Sequence, residues 1–348
     1  MNKRKRAGLS MFPRRIRSSR PKAAPRSRLF SIAIVPGILS LIIFGSETLV
    51  RPDTAAYGLI GLSPETAAAS TIAADPVPEL SSRNDDSPNL YDLKLRSPNA
   101  VLISLDDGSM LFKKNINQQI YPASLTKMMT VLVALENLTD LKHKVRLPNE
   151  IFPALYEEGA SMAGFVPGEE VKAEDLLYGS LLPSGADASL GLALDTAGSE
   201  KAFIAKMNAK AAELGMTNTH FANVTGLQSK QHYSSVKDMA ILLEYALKNP
   251  EFRKLFTAQR HSIAPTNGHP DGITVRSTLF QSAATLQFPD GEILGGKTGY
   301  TSAAGLCLAS LAVKDGKEYI LVTTGAKGDH TTDPYHIEDA LSVYTHLN

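Results

Sequence analysis

The chain has a single cysteine among its 348 residues, and this scarcity limits the chemistry that it can carry. Cys307 has no second cysteine for an intrachain disulfide, and no cage of thiolates can hold a metal. Because Cys307 lies in an apolar stretch, we expect it to be an inert core residue. The eight histidines show no H-E-x-x-H or comparable ligand spacing, so neither a metal site nor a cofactor is predicted.

Acidic residues are absent from the first 28 positions, which carry eleven lysines and arginines. The rest of the chain is net acidic, because the formal net charge of the whole is only +1. The overall charge therefore does not indicate a nucleic-acid binder, and no nucleic-acid partner is expected. The length and the 43% share of hydrophobic residues suit about two domains or one large one.

Charge is also absent from residues 29–45, which read LFSIAIVPGILSLIIFG. We interpret residues 29–46 as a transmembrane signal anchor, because this run follows the basic segment 1–28 and spanning helices tolerate a proline such as Pro36. The basic flank predicts a cytoplasmic N-terminus and an extracytoplasmic remainder, hence a single-pass protein of the cell membrane. The alternatives are a cleaved signal peptide, which would make the protein secreted, and a nucleic-acid-binding tail joined to a buried helix. The best cleavage site, Thr54-Ala55-Ala56, is weak.

Residues 47–93 are rich in alanine, serine and proline and show no sustained period of 2 or 3.6. This composition predicts a flexible linker that lifts a domain off the membrane. The folded part is then expected over residues 94–348, and it contains no internal repeat.

The apolar pattern of the folded part predicts an α+β domain. An early hairpin is expected from Ala100–Ser104 and Met110–Lys113, which flank the turn Asp106-Asp107-Gly108. Helices are predicted over Met128–Leu138, Glu174–Tyr178, Ala186–Ala197, Glu200–Leu214, Val236–Lys248 and Ile337–Leu347, and late strands over Ile273–Ser277, Glu292–Thr298, Gly305–Val313 and Tyr319–Thr324. We expect strands from both ends of the chain to form one antiparallel sheet packed by helices.

A serine and a lysine three residues apart stand at the start of the first predicted helix, in PASLTKMMT at residues 122–130. Positions i and i+3 are neighbours on a helix, so the amine of Lys127 can reach the hydroxyl of Ser124. A serine needs a base to become a nucleophile, and an ordinary lysine is too basic for that role at neutral pH. Burial and a second nearby cation would lower its pKa, so a second cation is expected to converge on this helix. Taken alone, the motif also fits a capping serine beside a solvated lysine.

The second cation has a candidate in GGKTG at residues 295–299, at the end of an apolar strand. The glycines on either side of Lys297 would let a ligand lie against the strand, and Thr298 offers a hydroxyl to a carboxylate. A phosphate-binding P-loop is the competing interpretation, since Gly291 completes its spacing. That loop should open a helix, whereas residues 300–305 lead into another strand.

A third motif, LPSGAD at residues 182–187, lies between two predicted helices. A serine in such a short Pro/Gly linker can present its hydroxyl to a cleft. By itself, a serine in this position is more typical of a turn with a helix cap.

Together, the three motifs resemble those of the serine penicillin-recognising enzymes, which carry S-x-x-K, S-x-N and K-T-G sets. The longer stretches YPASLTKMMTVLVALE, VPGEEVKAEDLLYGSLLPSGADAS, THFANVTGLQSKQHYSSVKDMAILL and GGKTGYTSAAGLCLASLAV resemble the D-alanyl-D-alanine carboxypeptidases. The similarity covers about Ser97 to Tyr344. It implies the penicillin-binding, β-lactamase-like transpeptidase fold, in which an antiparallel sheet is packed by helices and accompanied by a helical subdomain.

The resemblance implies a role for each motif residue. Ser124 would be the nucleophile, Lys127 its base, and Ser184 a proton relay toward the leaving amine. The substrate-binding residues would be Lys297 and Thr298, which hold the terminal carboxylate, with Gly299 and Tyr300; the backbone N–H groups of Ser124 and Tyr300 would form the oxyanion hole.

The implied reaction is removal of the terminal D-alanine from peptidoglycan pentapeptides through an acyl-enzyme, with β-lactams as inhibitors. A D,D-endopeptidase acting on cross-links is an alternative. So is a serine β-lactamase, although no E-x-x-L-N follows Ser184 and residues 213–217 do not match it. A weakly active penicillin-binding wall protein is a third.

Two departures from the family pattern stand out. Position 186 is alanine where S-x-N ends in asparagine, and Asp187 is not an obvious substitute. No arginine matches the late arginine that some members place near the substrate carboxylate; Lys327, His330 and His336 are the nearby candidates.

Overall fold

The structure is a computed structural model that describes residues 90–347. The predicted basic segment, signal anchor and linker up to residue 89 lie outside the described residues. Leu90, near the end of the predicted linker, is 1% exposed and packs in the core, so the folded domain includes this residue. Between residues 90 and 347, no helix combines the length and apolarity that a membrane crossing needs.

The described part of the chain folds into ten strands and nine α-helices. In chain order, the strands are β1 (Asn99–Ser104), β2 (Met110–Lys114), β3 (Lys144–Arg146), β4 (Glu170–Lys172), β5 (Arg260–Ile263), β6 (Ile273–Arg276), β7 (Gln287–Phe288), β8 (Gly291–Thr301), β9 (Gly305–Lys314) and β10 (Lys317–Ala326). The helices are α1 (Thr126–Asn137), α2 (Phe152–Glu157), α3 (Ala173–Leu181), α4 (Ala186–Ala197), α5 (Glu200–Glu213), α6 (Val236–Ala246), α7 (Pro250–Thr257), α8 (Thr278–Ser282) and α9 (Tyr335–Thr345).

One sheet joins the two ends of the described chain. Its spatial order is β2-β1-β10-β9-β8-β7, and every pair is antiparallel. The early hairpin enters the sheet because β1 pairs with the late strand β10, with Val101 opposite Val322. The expectation of one antiparallel sheet built from both ends of the chain is confirmed.

Both faces of this sheet are buried, which explains why its central strands are almost uniformly apolar. Successive side chains of a strand point to opposite faces. In β1, Val101 and Ile103 enter the larger core, beneath helices α1 and α6, whereas Ala100 and Leu102 enter a second core under α9. The result is an α+β domain with helices on both faces of the sheet, the fold class that the sequence predicts.

A group of helices stands beside the sheet and forms the predicted helical subdomain. Helix α4 packs on both α3 and α5, and all three pack on α1. Helix α1 is buried along most of its length, and therefore belongs to both the sheet layer and this subdomain. The cleft described below lies between this helical group and β8.

The predicted helices and strands are all present, with ends that shift by a few residues. One of them was placed wrongly: Ile273–Ser277 forms β6, which pairs with β5 in a separate hairpin and does not join the sheet. Alternate residues of β6 are exposed, so this strand has only one face to bury. The sequence pattern did not predict the short elements β3, β4, β5, β7, α2, α7 and α8. A start signal for α7 exists, since Asn249 caps its backbone and Pro250 occupies its first position.

Candidate active site

Ser124 lies in a 3-10 turn, Ala123–Leu125, that runs directly into α1. The sequence placed Ser124 and Lys127 together in the first helical turn, but α1 begins only at Thr126, so the serine precedes it. The two side chains nevertheless face each other, since Nζ of Lys127 lies 3.1 Å from Oγ of Ser124. A proton can therefore pass directly from the hydroxyl to the amine once the amine is neutral.

The amine of Lys127 is held in an environment that disfavours its charge. Lys127 is 2% exposed, and Nζ donates to the carbonyl oxygen of Thr225 at 2.5 Å. Burial lowers the pKa of Lys127 from its ordinary 10.5 to about 7, while the charge of Asp187 acts in the opposite direction. A large fraction of this lysine is therefore neutral at neutral pH, which is the state that a base requires.

Lys297 supplies a second buried amine on the neighbouring strand β8. It is 1% exposed, and Nζ donates to the carbonyl oxygen of Thr298 at 2.7 Å. Burial, together with repulsion from Lys127, holds the pKa of Lys297 well below its usual range. Full charge on both amines is thus disfavoured, and a negative group bound near Lys297 would draw the charge to that side.

Ser184 lies across the cleft in the segment between α3 and α4. Its backbone has a φ of +65°, a left-handed conformation that non-glycine residues rarely adopt. Its Oγ is buried and has no hydrogen-bond partner among the described residues. A buried hydroxyl without a partner in a strained backbone is typical of a functional position, where an incoming group completes the hydrogen bond.

Two cavities flank Ser124, one of about 290 Å³ and one of about 420 Å³. Ser184, Thr298, Gly299 and His336 line the first, which contains the K-T-G end of β8. Lys127, Ala186 and Gln228 line the second. Four residues line both cavities: Ser124, Ser161, Tyr300 and His330. An extended ligand can therefore cross Ser124 with one part in each cavity.

The glycines of the K-T-G strand serve a different purpose from the one expected. A Cβ on Gly295 would lie 2.4 Å from the carbonyl oxygen of Phe256, and one on Gly296 would lie 2.8 Å from that of Ala309. These two glycines thus admit the protein's own backbone and not a ligand. Gly299 differs, because it lines the cleft and a Cβ there would lie 3.1 Å from the backbone nitrogen of Ser124.

The K-T-G strand is also not a P-loop. Strand β8 continues through Thr301 and turns into β9 without opening a helix. The hydroxyl of Thr298 lies 2.6 Å from that of Thr278, which begins α8. This contact orients the Thr298 hydroxyl at the wall of the first cavity.

Position 186 contributes no polar side chain to the cleft. Ala186 lines the second cavity, and its backbone N–H donates to the carbonyl oxygen of Ser161 at 2.8 Å. Asp187 is fully buried and accepts hydrogen bonds from the backbone N–H groups of residues 163–165. Its carboxylate is therefore occupied in holding the loop after Ser161. Burial raises the pKa of Asp187 against the opposing effect of these hydrogen bonds.

The candidates for the absent arginine occupy different places. His330 lies at the mouth of both cavities, with its ring centroid 4.8 Å from that of Tyr300 in an edge-on arrangement. His336 lines the first cavity, and burial lowers its pKa to about 4, so it is neutral at neutral pH. Lys327 lies elsewhere, beside Arg96 in a separate surface cavity.

Asn223 and Cys307 have structural roles, as expected above for Cys307. Asn223 accepts from the backbone N–H groups of Thr225 and Gly226 and donates to the carbonyl of Leu227, so it shapes a loop. Cys307 is fully buried, and burial raises the pKa of its thiol to about 12. Among residues 90–347, no group of three or more histidine, cysteine or acidic side chains is placed to hold a metal ion.

Three contributors to the site escaped the motif analysis: the carbonyl of Thr225, the loop residue Ser161 and the hydroxyl of Thr278. Thr225 and Ser161 lie in loops distant in sequence from Ser124, and Thr278 starts a five-residue helix. None carries a signal of its own in a single sequence, because each acts through a carbonyl, a hydroxyl or a position that only folding brings to the cleft.

Comparison with known proteins shows the family to which this site belongs. The family profile described as D-alanyl-D-alanine carboxypeptidase matches residues 84–328. The chain belongs to this family. The matched range includes all three motifs and the residues that line the two cavities, except those between Asp329 and His336. The described residues cover nearly all of this range.

Individual relatives agree with that assignment. The chain is 38% identical over 245 residues to the D-alanyl-D-alanine carboxypeptidase DacF of Bacillus subtilis, an alignment that covers 69% of this chain and 60% of DacF. It is 29% identical to a D-alanyl-D-alanine endopeptidase of Escherichia coli, over 72% of this chain and 77% of that protein. The crystal structure of the Streptomyces K15 DD-transpeptidase superposes with a TM-score of 0.66 at 27% identity, covering 73% of this chain and 97% of that one. The domain therefore has the DD-peptidase fold that the sequence predicts.

Proposed function

We propose that the protein is a serine D,D-carboxypeptidase that removes the terminal D-alanine from peptidoglycan stem peptides. One observation carries this proposal: the 3.1 Å contact between Oγ of Ser124 and Nζ of Lys127, a buried lysine with a pKa of about 7. A serine paired with a base that is neutral near pH 7 is equipped for acyl transfer. Membership of the carboxypeptidase family supports the choice of substrate.

In the first step, neutral Lys127 takes the proton from the hydroxyl of Ser124 while Oγ attacks the carbonyl carbon between the two D-alanines. The resulting oxyanion is stabilised by the backbone N–H groups of Ser124 and Tyr300. Strand β8, which carries Tyr300, lies close to the turn of Ser124, because Gly299 has no side chain to separate them. Preorganised donors of this kind contribute several kcal/mol, roughly 3–4 for one donor. The terminal carboxylate binds at Thr298, which lines the first cavity, next to the buried Lys297 on the same strand.

In the second step, the C–N bond breaks, and the departing amine receives the proton that Lys127 took from Ser124, which leaves Lys127 neutral again. Ser184 is the relay, because its hydroxyl is buried, lines the same cavity and has no other partner among the described residues. Water then attacks the acyl-enzyme, Lys127 accepts its proton, and Ser124 Oγ leaves with that proton. A β-lactam would acylate Ser124 in the same way, with its ring carbonyl in place of the peptide carbonyl.

The protonation states of Lys127 and Lys297 depend on each other. Binding of the substrate carboxylate favours the protonated form of Lys297. A positive Lys297 in turn disfavours the protonated form of Lys127, since the two amines repel each other. Substrate binding therefore prepares the base at the step that needs it.

The activity is tested by incubating the protein with a D-Ala-D-Ala pentapeptide, a cross-linked muropeptide dimer and a penicillin in parallel. We expect free D-alanine from the pentapeptide and a long-lived penicillin adduct. Cleavage of the dimer without release of D-alanine would establish an endopeptidase, and rapid turnover of penicillin would establish a β-lactamase. If the protein reacts with none of the three, the proposal is contradicted, and a wall-binding protein without this activity is the remaining alternative.

Endopeptidase action is the second candidate, because the cleft extends on both sides of Ser124 and a relative named as an endopeptidase aligns over 72% of the chain. Its larger substrate needs room beyond the first cavity. The same digest separates the two activities, since only a carboxypeptidase releases D-alanine.

Replacing Ala186 with asparagine is expected to raise kcat/KM for D-alanine release about two- to tenfold. Asparagine would enter the cavity that Ala186 lines and offer hydrogen bonds to Lys127 and to the substrate amide. One neutral hydrogen bond contributes about 0.5–1.5 kcal/mol, which corresponds to this factor. Ala186→Leu is the matched control, because leucine has the same shape without the amide, and it should give no gain. If Ala186→Asn lowers the activity well below wild type, the site is built around alanine and this interpretation fails.

We propose that residues 29–46 anchor the protein in the cell membrane with the catalytic domain outside. The uncharged run and its basic flank in the sequence support this proposal. Fractionated cells should carry the protein in the membrane pellet, and detergent but not high salt should release it. A mature N-terminus that begins after Ala56 would instead show cleavage and a secreted enzyme.

A further inference from the structure

A buried histidine that the proposed mechanism does not use lies behind the turn of the nucleophile. His232 is 2% exposed and precedes α6. Its Nδ1 accepts the backbone N–H of Ala222 at 3.0 Å, and its Nε2 lies 2.7 Å from Oγ1 of Thr126. Because Nδ1 is an acceptor, the proton of the neutral ring is on Nε2, which therefore donates to Thr126.

Thr126 extends this contact to the residue before the nucleophile. Its Oγ1 donates to the carbonyl oxygen of Ala123 at 2.8 Å. Ala123 has a φ of +47°, in the left-handed region that alanine avoids. Such a conformation persists only where the surroundings impose it. The turn that carries Ser124 therefore depends on whatever holds the Ala123 carbonyl.

The loop that carries Thr225 also contacts the Ala123 carbonyl, through Gly226. A Cβ on Gly226 would lie 1.9 Å from the carbonyl oxygen of Ala123, so only glycine fits there. Asn223 accepts the N–H of Gly226 at 2.7 Å and keeps this loop in place. The loop thus contacts both partners of the catalytic pair, because the Thr225 carbonyl accepts from Lys127.

We propose that His232 and Thr126 are positioning residues for the nucleophile. Their hydrogen-bond chain holds the Ala123 carbonyl and thereby keeps Oγ of Ser124 within reach of Nζ of Lys127. This proposal rests on the function proposed above, because acylation of Ser124 is what the positioning serves.

The chain requires a neutral imidazole, and its surroundings provide one. Burial lowers the pKa of His232 to about 4, and the charges that face it, those of His220 and Lys127, act in the same direction. A proton on Nδ1 would remove the acceptor of the Ala222 N–H. The geometry and the protonation state of the ring therefore agree.

The test compares two threonines of α1 in the full-length protein, by the rate constant for acylation with a fluorescent penicillin and by Tm. Thr126→Val removes the hydroxyl and keeps the shape, and we expect it to slow acylation about 10- to 100-fold. Thr126→Ser keeps the hydroxyl and should retain most of the wild-type rate. Thr130→Val is the matched control, because Thr130 donates to the Val224 carbonyl of the same loop at 2.7 Å but does not touch Ala123. It should lower Tm about as much as Thr126→Val and leave acylation near wild type.

The histidine is tested separately, which also decides the question if Thr126→Val does not fold. His232→Gln retains an acceptor and a donor and should keep more of the rate than His232→Phe, which has neither. The double variant His232→Phe/Thr126→Val should be no slower than the slower single variant, because one chain is broken in each case.

Three results would overturn the proposal. One is a wild-type acylation rate in Thr126→Val, another is an equal loss of rate in Thr130→Val, and the third is a phenylalanine variant of His232 that acylates as fast as the glutamine variant. If the wild-type protein itself is not acylated by penicillin, the proposed function fails instead, so the two failures can be told apart.

Discussion

A Ser124→Ala protein should form no covalent adduct with penicillin and release no D-alanine from a pentapeptide. The hydroxyl is the atom that forms the acyl bond, and no other cleft serine lies beside a buried lysine at 3.1 Å. Removal of a nucleophile typically reduces kcat by several orders of magnitude, on the order of 10⁴-fold or more. Intact-mass spectrometry of the full-length protein, followed by peptide mapping, measures the adduct and its position.

Ser184→Ala is the comparison that separates nucleophile from relay. Ser184 lines the same cleft and is also buried, but its hydroxyl has no hydrogen-bond partner among residues 90–347. This variant should be acylated more slowly than wild type, and its adduct should still map to the peptide that contains Ser124. An adduct on Ser184 in the Ser124→Ala protein, or an unchanged adduct yield in that protein, would reverse the assignment.

Lys127→Met and Lys127→Gln should each slow acylation about 10²- to 10⁴-fold, the usual contribution of a general base. Methionine fills the space of the buried side chain, and glutamine also retains a donor for the Thr225 carbonyl. A loss of the same size in both variants would assign the effect to the base. Recovery of the rate in the glutamine variant would show that the hydrogen bond to Thr225, and not proton transfer, is what Lys127 provides.

The wild-type pH profile tests the same residue without a substitution. Lys127 acts as a base only when neutral, and its pKa is about 7. The acylation rate should therefore fall about tenfold per pH unit below pH 6 and become constant above pH 8. The buried histidines His232 and His336 have pKa values near 4, so they do not titrate in this range. A rate that is independent of pH between 5.5 and 8.5 would exclude Lys127 as the base.

Much of the secondary structure follows from local pattern. Short segments of sequence contain the apolar period and the end signals of the longer elements. These elements are the strands β1, β9 and β10 and the helices α1, α4, α5 and α6. The prediction for β6 was right as a strand and wrong as a member of the sheet. Strand pairing depends on which partner is available in three dimensions, and a four-residue pattern carries no information about the partner.

The motif residues could be found because each motif is contiguous and its family pattern is known. Ser124 and Lys127 are three residues apart, so their proximity is local and survives the shift of the helix start to Thr126. The interpretation of the β8 glycines failed for the opposite reason. Whether a glycine faces a ligand or another strand depends on what packs above it, and Gly295 and Gly296 face the protein's own backbone.

The α+β class, the contact between Ser124 and Lys127 and the place of Lys297 on an apolar strand could be predicted from the sequence alone, because they depend on periodicity and on short spacings. Three features depend on the tertiary structure: the pKa of Lys127, the Ser184 hydroxyl that has no partner within the described part of the chain, and the hydrogen bonds from His232 through Thr126 to Ala123. Burial, hydrogen-bond partners and charge repulsion involve residues far apart in the sequence; Lys127 and Lys297, for example, are 170 positions apart. These terms are set by distances through space, and they exist only once the helices have packed against the sheet.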